Sequence, residues 1–299
     1  MSTTLETLQS LDVPTVTTVA LAGAVLALVA SDPVLGRRDH RALLTELAGQ
    51  GDDPAGAEDA RVRFYRRWVR GGWLWAAAVL ALVAALPGVG LGTLGLRWPD
   101  LVGRGSSVWR ESSSPALTDD AGGVDLETVA GMLVGLLVGT LLVVVVLRVT
   151  ARARSAVRRR DGAPALPLAG GAALAPMLPT TTRGRRGWAA LSVTAGVTEE
   201  VTYRGLVVLT LALLLPDADP RLVVALAAVV FGLAHAYQGP VGMVATALAG
   251  AVFAGMYLGT GSLVVPMLLH VLVDLRALLL TPRRARDAHP TVRTEPVAA

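Results

Sequence analysis

The chain has 299 residues, 53% of them hydrophobic and only 17% charged, a balance outside the soluble range that predicts a polytopic membrane protein. It contains no cysteine, which excludes disulfides, thiolate nucleophiles and thiolate metal sites, so any metal must be held by His, Asp or Glu. The formal net charge is +4 and all 27 basic residues are Arg. They stand beside hydrophobic segments, which points to orientation in an anionic lipid bilayer and not to nucleic acid, and their exclusive use fits a GC-rich bacterial genome.

Residues 1–12 are polar without Arg, and Val13 to Ala30 is a first apolar span of about the length needed to cross. The start has no basic residue, so an uncleaved helix is expected, not a signal peptide. Ser31 to Arg70 is a hydrophilic connector with eight Arg, broken around Gly49 to Pro54, and Arg61 to Arg70 reads as a juxtamembrane amphipathic segment. Gly71 to Leu91 is the second span, with Trp73 and Trp75 at interfacial positions. Arg97 to Thr128 is rich in Gly, Ser and Asp. The third span is Val129 to Leu147, where Gly131, Gly135 and Gly139 form a small-residue stripe suited to close packing. Arg148 to Arg186 carries nine Arg, and its apolar middle, 164–179, is broken by four prolines, so it reads as a re-entrant or surface segment. Four further spans follow: Trp188 to Leu215, Leu222 to Tyr237, Val241 to Leu258 and Leu263 to Leu280. Gly239-Pro240 breaks the chain between the second and third of these, and Gly255 and Gly259 offer another small-residue contact.

The expected fold is therefore an all-α transmembrane bundle of about seven spans. Its expected parts are an N-terminal membrane region 1–160, a second membrane region 161–280 and a tail 281–299. Connections 31–70 and 148–186 and the tail hold 21 Arg, against four in the N-terminus, 97–128 and the turn through Arg221. Positively charged short loops stay cytoplasmic, so the N-terminus is expected outside and the C-terminus inside a cell membrane.

The charged residues that need explaining lie inside the apolar runs. Glu199, Glu200 and Arg204 fall within six residues of one span. A charge at the centre of a bilayer helix costs about 2.5–3.5 kcal/mol on insertion scales, so these need partners within the protein. Glu200 and Arg204 are i,i+4 neighbours in the favourable orientation, whereas Glu199, about 100° around the helix, must look to another helix. His235 ends the fifth span, and His270 and Asp274 share one face of the seventh. A lone membrane histidine is as readily a helix-to-helix hydrogen bond as a functional group. Two His with three acids at similar depth offer instead a base, two imidazoles and a further carboxylate, which suits activation of water for attack on a carbonyl.

Glu199-Glu200-x-x-x-Arg204, Phe231-x-x-x-His235 and His270-x-x-x-Asp274, in that order on successive spans, resemble the three motifs of the CPBP intramembrane peptidases. That family contains the type II CAAX prenyl endopeptidases and the bacterial Abi proteins. The resemblance covers roughly residues 185–280. It implies a membrane peptidase acting on a peptide or protein substrate at the bilayer. Glu199 and His235 would activate water, and His270 and Asp274 would stabilise the oxyanion or bind metal. A zinc ion held by His235, His270 and a carboxylate is the metalloprotease version, and unaided activation of water is the other. A non-catalytic scaffold, immunity or sensor protein keeping the motifs is the rival from another class. An ion-coupled transporter would be expected to show internal repeats, and none is seen.

Overall fold

The computed structural model describes residues 2–98 and 171–280, and no strand occurs among them. The elements are α1 (Ser2–Gln9), α2 (Thr15–Gly49), α3 (Pro54–Ala85), α4 (Thr182–Glu200), α5 (Val208–Leu214), α6 (Pro220–Ala234), α7 (Gly239–Thr260) and α8 (Val264–Leu275). A π turn, Val201–Val207, joins α4 to α5 without a break. Local chemistry sets the starts. Asp53, Thr181 and Asp219 each accept a backbone N–H at the entrance to α3, α4 and α6, and proline occupies the first turn of α3 and α6. The expected span 129–147 with its glycine stripe, the boundary at 160–161 and the tail 281–299 lie outside the described residues.

The polar connector 31–70 is not a loop. α2 runs unbroken from the apolar run to Gly49 through Pro33, and α3 starts at Pro54, so the Arg-rich residues form the closed end of a long helical hairpin. Only the turn at 50–53 matches the expected break. The connector composition is polar because both helices there leave the apolar zone. Two ion pairs bridge its arms, Arg63 to Glu46 at 2.5 Å and Arg67 to half-buried Asp39 at 3.8 Å. At the other end Thr17 Oγ1 donates to the Pro87 carbonyl at 2.8 Å. The N-terminal dodecapeptide is also structured: α1 buries Leu5 and Leu8, and Gln9 Nε2 donates to the carbonyls of Leu215 and Ala218 beyond α5.

Six spans were expected within the described residues, and three helices are long and apolar enough to cross a membrane: Thr15–Gly49, Pro54–Ala85 and Ala236–Thr260. The others depart for identifiable reasons. The run from Trp188 carries Glu199, Glu200 and Arg204 within six residues, α6 has 15 residues, and α8 has 12 because the chain turns at Arg276 before a last helical turn, Ala277–Leu280. Asp274 thus sits at the end of its helix, not about 10 Å inside a span as the expected Leu263 to Leu280 helix would place it.

Packing divides into two apolar clusters. One gathers α1, the apolar halves of α2 and α3, the π turn, α5 and α6 around Leu21, Val83, Leu206 and Leu209. The other gathers the hairpin end, Met177, Trp188 and Ala277 around Leu43, Phe64 and Tyr65. The close helix crossings lie at glycines that no stripe announced. A Cβ on Gly196 of α4 would fall 2.9 Å from the Val271 backbone of α8, and one on Gly232 of α6 would fall 2.8 Å from the Met243 carbonyl of α7. Gly255 makes no such contact, since nothing among the described residues lies within 4 Å of a Cβ there.

Of the segment 164–179, the described part is two short turns, Gly171–Leu174 and Ala175–Met177, with Met177 and Leu178 buried. This strap lies on the hairpin end. His40 Nε2 donates to the Ala173 carbonyl at 2.9 Å, Arg61 Nε donates to the Pro176 carbonyl at 2.8 Å, and the Tyr65 hydroxyl donates to the Met177 carbonyl. Buried Glu58 then accepts from the backbone N–H and hydroxyl of both Thr180 and Thr181, clasping the start of α4.

Candidate active site

Three α-helical segments end where the polar residues gather: α4 at Glu200, α6 at Ala234 just before His235, and α8 at Leu275 just after Asp274. They close on a cavity of about 580 Å³ between the two apolar clusters. Asp32, Trp68, Glu199, His235, His270 and Asp274 are among its lining, and Arg38, Arg67 and Arg276 stand at its Arg-rich side. The structure brings together all six residues singled out in the sequence.

Glu199 finds its partners on other helices, as its position on α4 requires. Its Oε2 lies 3.7 Å from His235 Nε2 and 3.9 Å from His270 Nε2. That oxygen is buried and accepts no hydrogen bond from the described residues. His235 Nδ1 lies 2.9 Å from the Phe231 carbonyl. A carbonyl oxygen can only accept, so Nδ1 carries a proton, and in the neutral tautomer Nε2 is left bare toward Glu199. In that tautomer two acceptors face each other in the cavity.

Glu200 does more than the sequence suggests. It is fully buried, and its Oε1 accepts from Arg204 Nη1 at 3.0 Å and from His270 Nδ1 at 2.7 Å. The expected Glu200–Arg204 pair is present, but the same oxygen also fixes the second imidazole, leaving His270 Nε2 to face Glu199 and, at 3.9 Å, Asp274 Oδ2. Arg204 is satisfied by a third group, the Gly250 carbonyl at 3.3 Å, and by the faces of Phe231 and Phe253 at 4.2 and 5.1 Å from its guanidinium carbon. Phe253 also stacks on His270 at 5.2 Å. The second motif's Phe231 is thus a hub: its carbonyl orients His235 and its ring touches Arg204, Tyr203 and His235.

The donor set of two imidazoles and carboxylates suits zinc in kind. As placed, it does not close on one ion: among the described residues no group of three or more His, Asp or Glu is arranged to hold a metal. Glu199 Oε2, at 3.7 and 3.9 Å from the two imidazoles, stands a few tenths of an ångström beyond the roughly 3.4 Å that separates ligands of a tetrahedral ion.

Two features had no legible signal. The π turn begins immediately after Glu200, and such turns are frequent at functional sites, but the i,i+4 spacing of Glu200 and Arg204 is the same with or without it. Asp32 lines the cavity and accepts from the Tyr203 hydroxyl of the π turn. Its one sequence signal is a carboxylate two residues beyond the first apolar run, which reads equally well as the start of a polar connector.

Residues 185–276 match the family of the type II CAAX prenyl endopeptidase Rce1-like proteins. The match covers all three motifs and under a third of the chain. At family level it supports a CAAX-protease-like intramembrane peptidase, and together with the long apolar helices it supports a membrane protein. Comparison with curated proteins and with solved structures gives no match.

Proposed function

We propose that the chain is a multi-pass endopeptidase of the cell membrane that hydrolyses a peptide bond near the cytoplasmic face with water activated by Glu199 and His235. The observation that carries this reading is the buried Glu199 Oε2, which accepts no hydrogen bond from the described residues, set 3.7 Å from His235 Nε2 in a cavity, with His235 taken as neutral. Two acceptors so close are best reconciled by a molecule with two protons to donate. A water there gives one O–H to each and turns its lone pairs toward the cavity. As the water oxygen bonds to the scissile carbonyl carbon, Glu199 takes its proton. The C–N bond then breaks and Glu199 returns the proton to the leaving amine. His270, held at Nδ1 by Glu200, meets the oxyanion with a protonated Nε2, and Asp274 balances its charge. Glu200 and Arg204 hold the frame. A water donating to both groups at about 2.8 Å needs its acceptors roughly 4.4 Å apart, so Glu199 and His235 part slightly from 3.7 Å to admit it.

The proposed partners are a peptide or protein substrate at the membrane and the bilayer itself, with no nucleic acid. The orientation, N-terminus outside and C-terminus inside, is supported by the Arg distribution and by the arginines at the cavity's side. Single cysteines at Asp217 and Arg284 in this cysteine-free chain should label from outside and inside respectively, and the opposite pattern would reverse the orientation. We propose the metal-free version of the chemistry, with zinc on His235 and His270 as its rival.

The test is hydrolysis of a fluorogenic prenylated CAAX peptide by purified protein in liposomes. Glu199→Gln, His235→Ala and His270→Ala should each lower kcat by about 10²–10⁴ without loss of folded protein. Retained turnover in all three, or function in cells without any turnover, would leave the scaffold reading. About one zinc per chain in active protein, with activity lost on chelation and restored by zinc, would replace the metal-free step.

A further inference from the structure

We propose that Asp32 and Tyr203 are a positioning pair: by the hydrogen bond between them α2, which lies outside the matched residues, holds the π turn in the register that sets Glu199 beside His235. For its kinetic arm this rests on the peptidase reading above; its structural arm does not.

The argument begins with the turn itself. A π turn packs one more residue per hydrogen-bonded ring than an α-helix, and in isolation the chain would relax to α. Such a relaxation would shift the register by one residue and rotate one side of the turn against the other by about 100°. Here three successive side chains are tied down. Thr202 Oγ1 donates to the Thr198 carbonyl at 2.8 Å, Arg204 binds Glu200 and the Gly250 carbonyl of α7, and Tyr203 binds Asp32 of α2. The Thr202 tie is local and the Arg204 tie belongs to the frame of the site. The Tyr203 tie is the one that reaches α2.

Tyr203 is well placed to pass a displacement on. It follows Glu199 by four residues, it is buried, and its ring meets Phe231 edge to face at 4.9 Å, the residue whose carbonyl orients His235. Both members of the proposed catalytic pair thus share Tyr203 as a neighbour or near neighbour. α2 also touches the other half of the site directly: a Cβ on Gly36, one helical turn beyond Asp32, would stand 3.4 Å from the Tyr237 ring and 3.6 Å from the Ala234 carbonyl. One helix therefore braces both the π turn and the end of α6.

The test uses the full chain in liposomes with Asp32→Ala, Asp32→Asn, Tyr203→Phe and the double variant Asp32→Ala/Tyr203→Phe. Asp32→Ala and Tyr203→Phe should each lower kcat about 10- to 100-fold with KM within about threefold, the signature of a misplaced catalytic group. The double variant should be no worse than the poorer single, because both remove one interaction. Asp32→Asn, whose amide oxygen still accepts from the tyrosine, should stay within about threefold of wild type. The structural arm places spin labels at cysteines introduced for Val34 and Leu214, both exposed, in a chain that has no other cysteine. The distance distribution should be narrow in the wild type and in Asp32→Asn and broadened or shifted in Asp32→Ala and Tyr203→Phe. Losses that multiply in the double variant, an Asn variant as poor as Ala, or an effect carried by KM, which would make Asp32 a substrate contact, each overturn the proposal. If the wild type hydrolyses no peptide, the proposed function fails by itself; identical distance distributions in all variants would then overturn the pair.

Discussion

The matched region, residues 185–276, and the α2–α3 hairpin treat charge in opposite ways. In the first, Glu200 and Arg204 are almost fully buried and bonded to each other, and Arg204 also donates to the Gly250 carbonyl and lies against the Phe231 ring. In the second, most charges sit at the surface of the closed end, and the apolar stretches of α2 and α3 are only 11% and 17% buried, against 33% for the span containing α7. The hairpin spends its apolar surface outward and its polar surface at one end, which is what a bilayer asks of a helix. The matched region brings ionisable groups inward, which a bilayer penalises unless they serve one another and a reaction. Glu58 is the exception that joins the two, a hairpin carboxylate buried because it caps the start of α4.

This contrast can be broken by mutation, and the largest effect is expected where burial is deepest. Arg204→Ala strands Glu200 and should cost about 3–5 kcal/mol, read as loss of detergent-solubilised protein or a large drop in Tm. Gly196→Ala forces a methyl against the Val271 backbone of α8 and should cost about 1–3 kcal/mol, together with activity, because α8 carries His270 and Asp274. Glu58→Ala leaves the donors of Thr180 and Thr181 without their acceptor and should cost a similar 1–3 kcal/mol in chemical denaturation while sparing kcat. A kcat loss as large as that of Gly196→Ala would show that the clasp belongs to the site. At the exposed end of the scale, Arg63→Ala should change Tm by an amount equivalent to about 0–1 kcal/mol, since both partners of that pair are largely in solvent. A larger effect would mean that the hairpin end is more than a solvated cap.

Much of this contrast was legible in the sequence, and the limits of legibility are physical. The ordered motifs Glu199-Glu200-Arg204, Phe231-His235 and His270-Asp274 pointed to one site because charge inside apolar runs is rare, and the structure gathers all six candidates. The all-helical character followed from the apolar runs. Four things did not follow. The helicity of the polar connector was hidden because its few buried apolar residues, Leu43, Phe64 and Tyr65, are diluted among arginines and carboxylates at the hairpin end. The π turn alters no side-chain spacing that a pattern can register. The second duty of Glu200, toward His270, and the bond from Tyr203 to Asp32 join residues 70 and 171 positions apart, where sequence order carries no geometry. Gly255 illustrates the converse: a small residue permits a close crossing, but only the tertiary arrangement decides whether one occurs, and among the described residues Gly196 and Gly232 are used instead.

The shortness of α6 and α8 has a consequence for the lipid around them. At ~1.5 Å per residue, helices of 15 and 12 residues reach only about 22 and 18 Å, against a hydrocarbon layer of about 30 Å. A segment shorter than the layer it crosses draws the two leaflets together beside it. In the proposed membrane arrangement both helices end at the site, so the dimple they would impose lies over Glu199 and His235. A polypeptide approaching from the aqueous side would thus meet Glu199 and His235 where the bilayer is thinnest, and the sensitivity of the protein to lipid acyl length would be set by these two helices, not by the long hairpin.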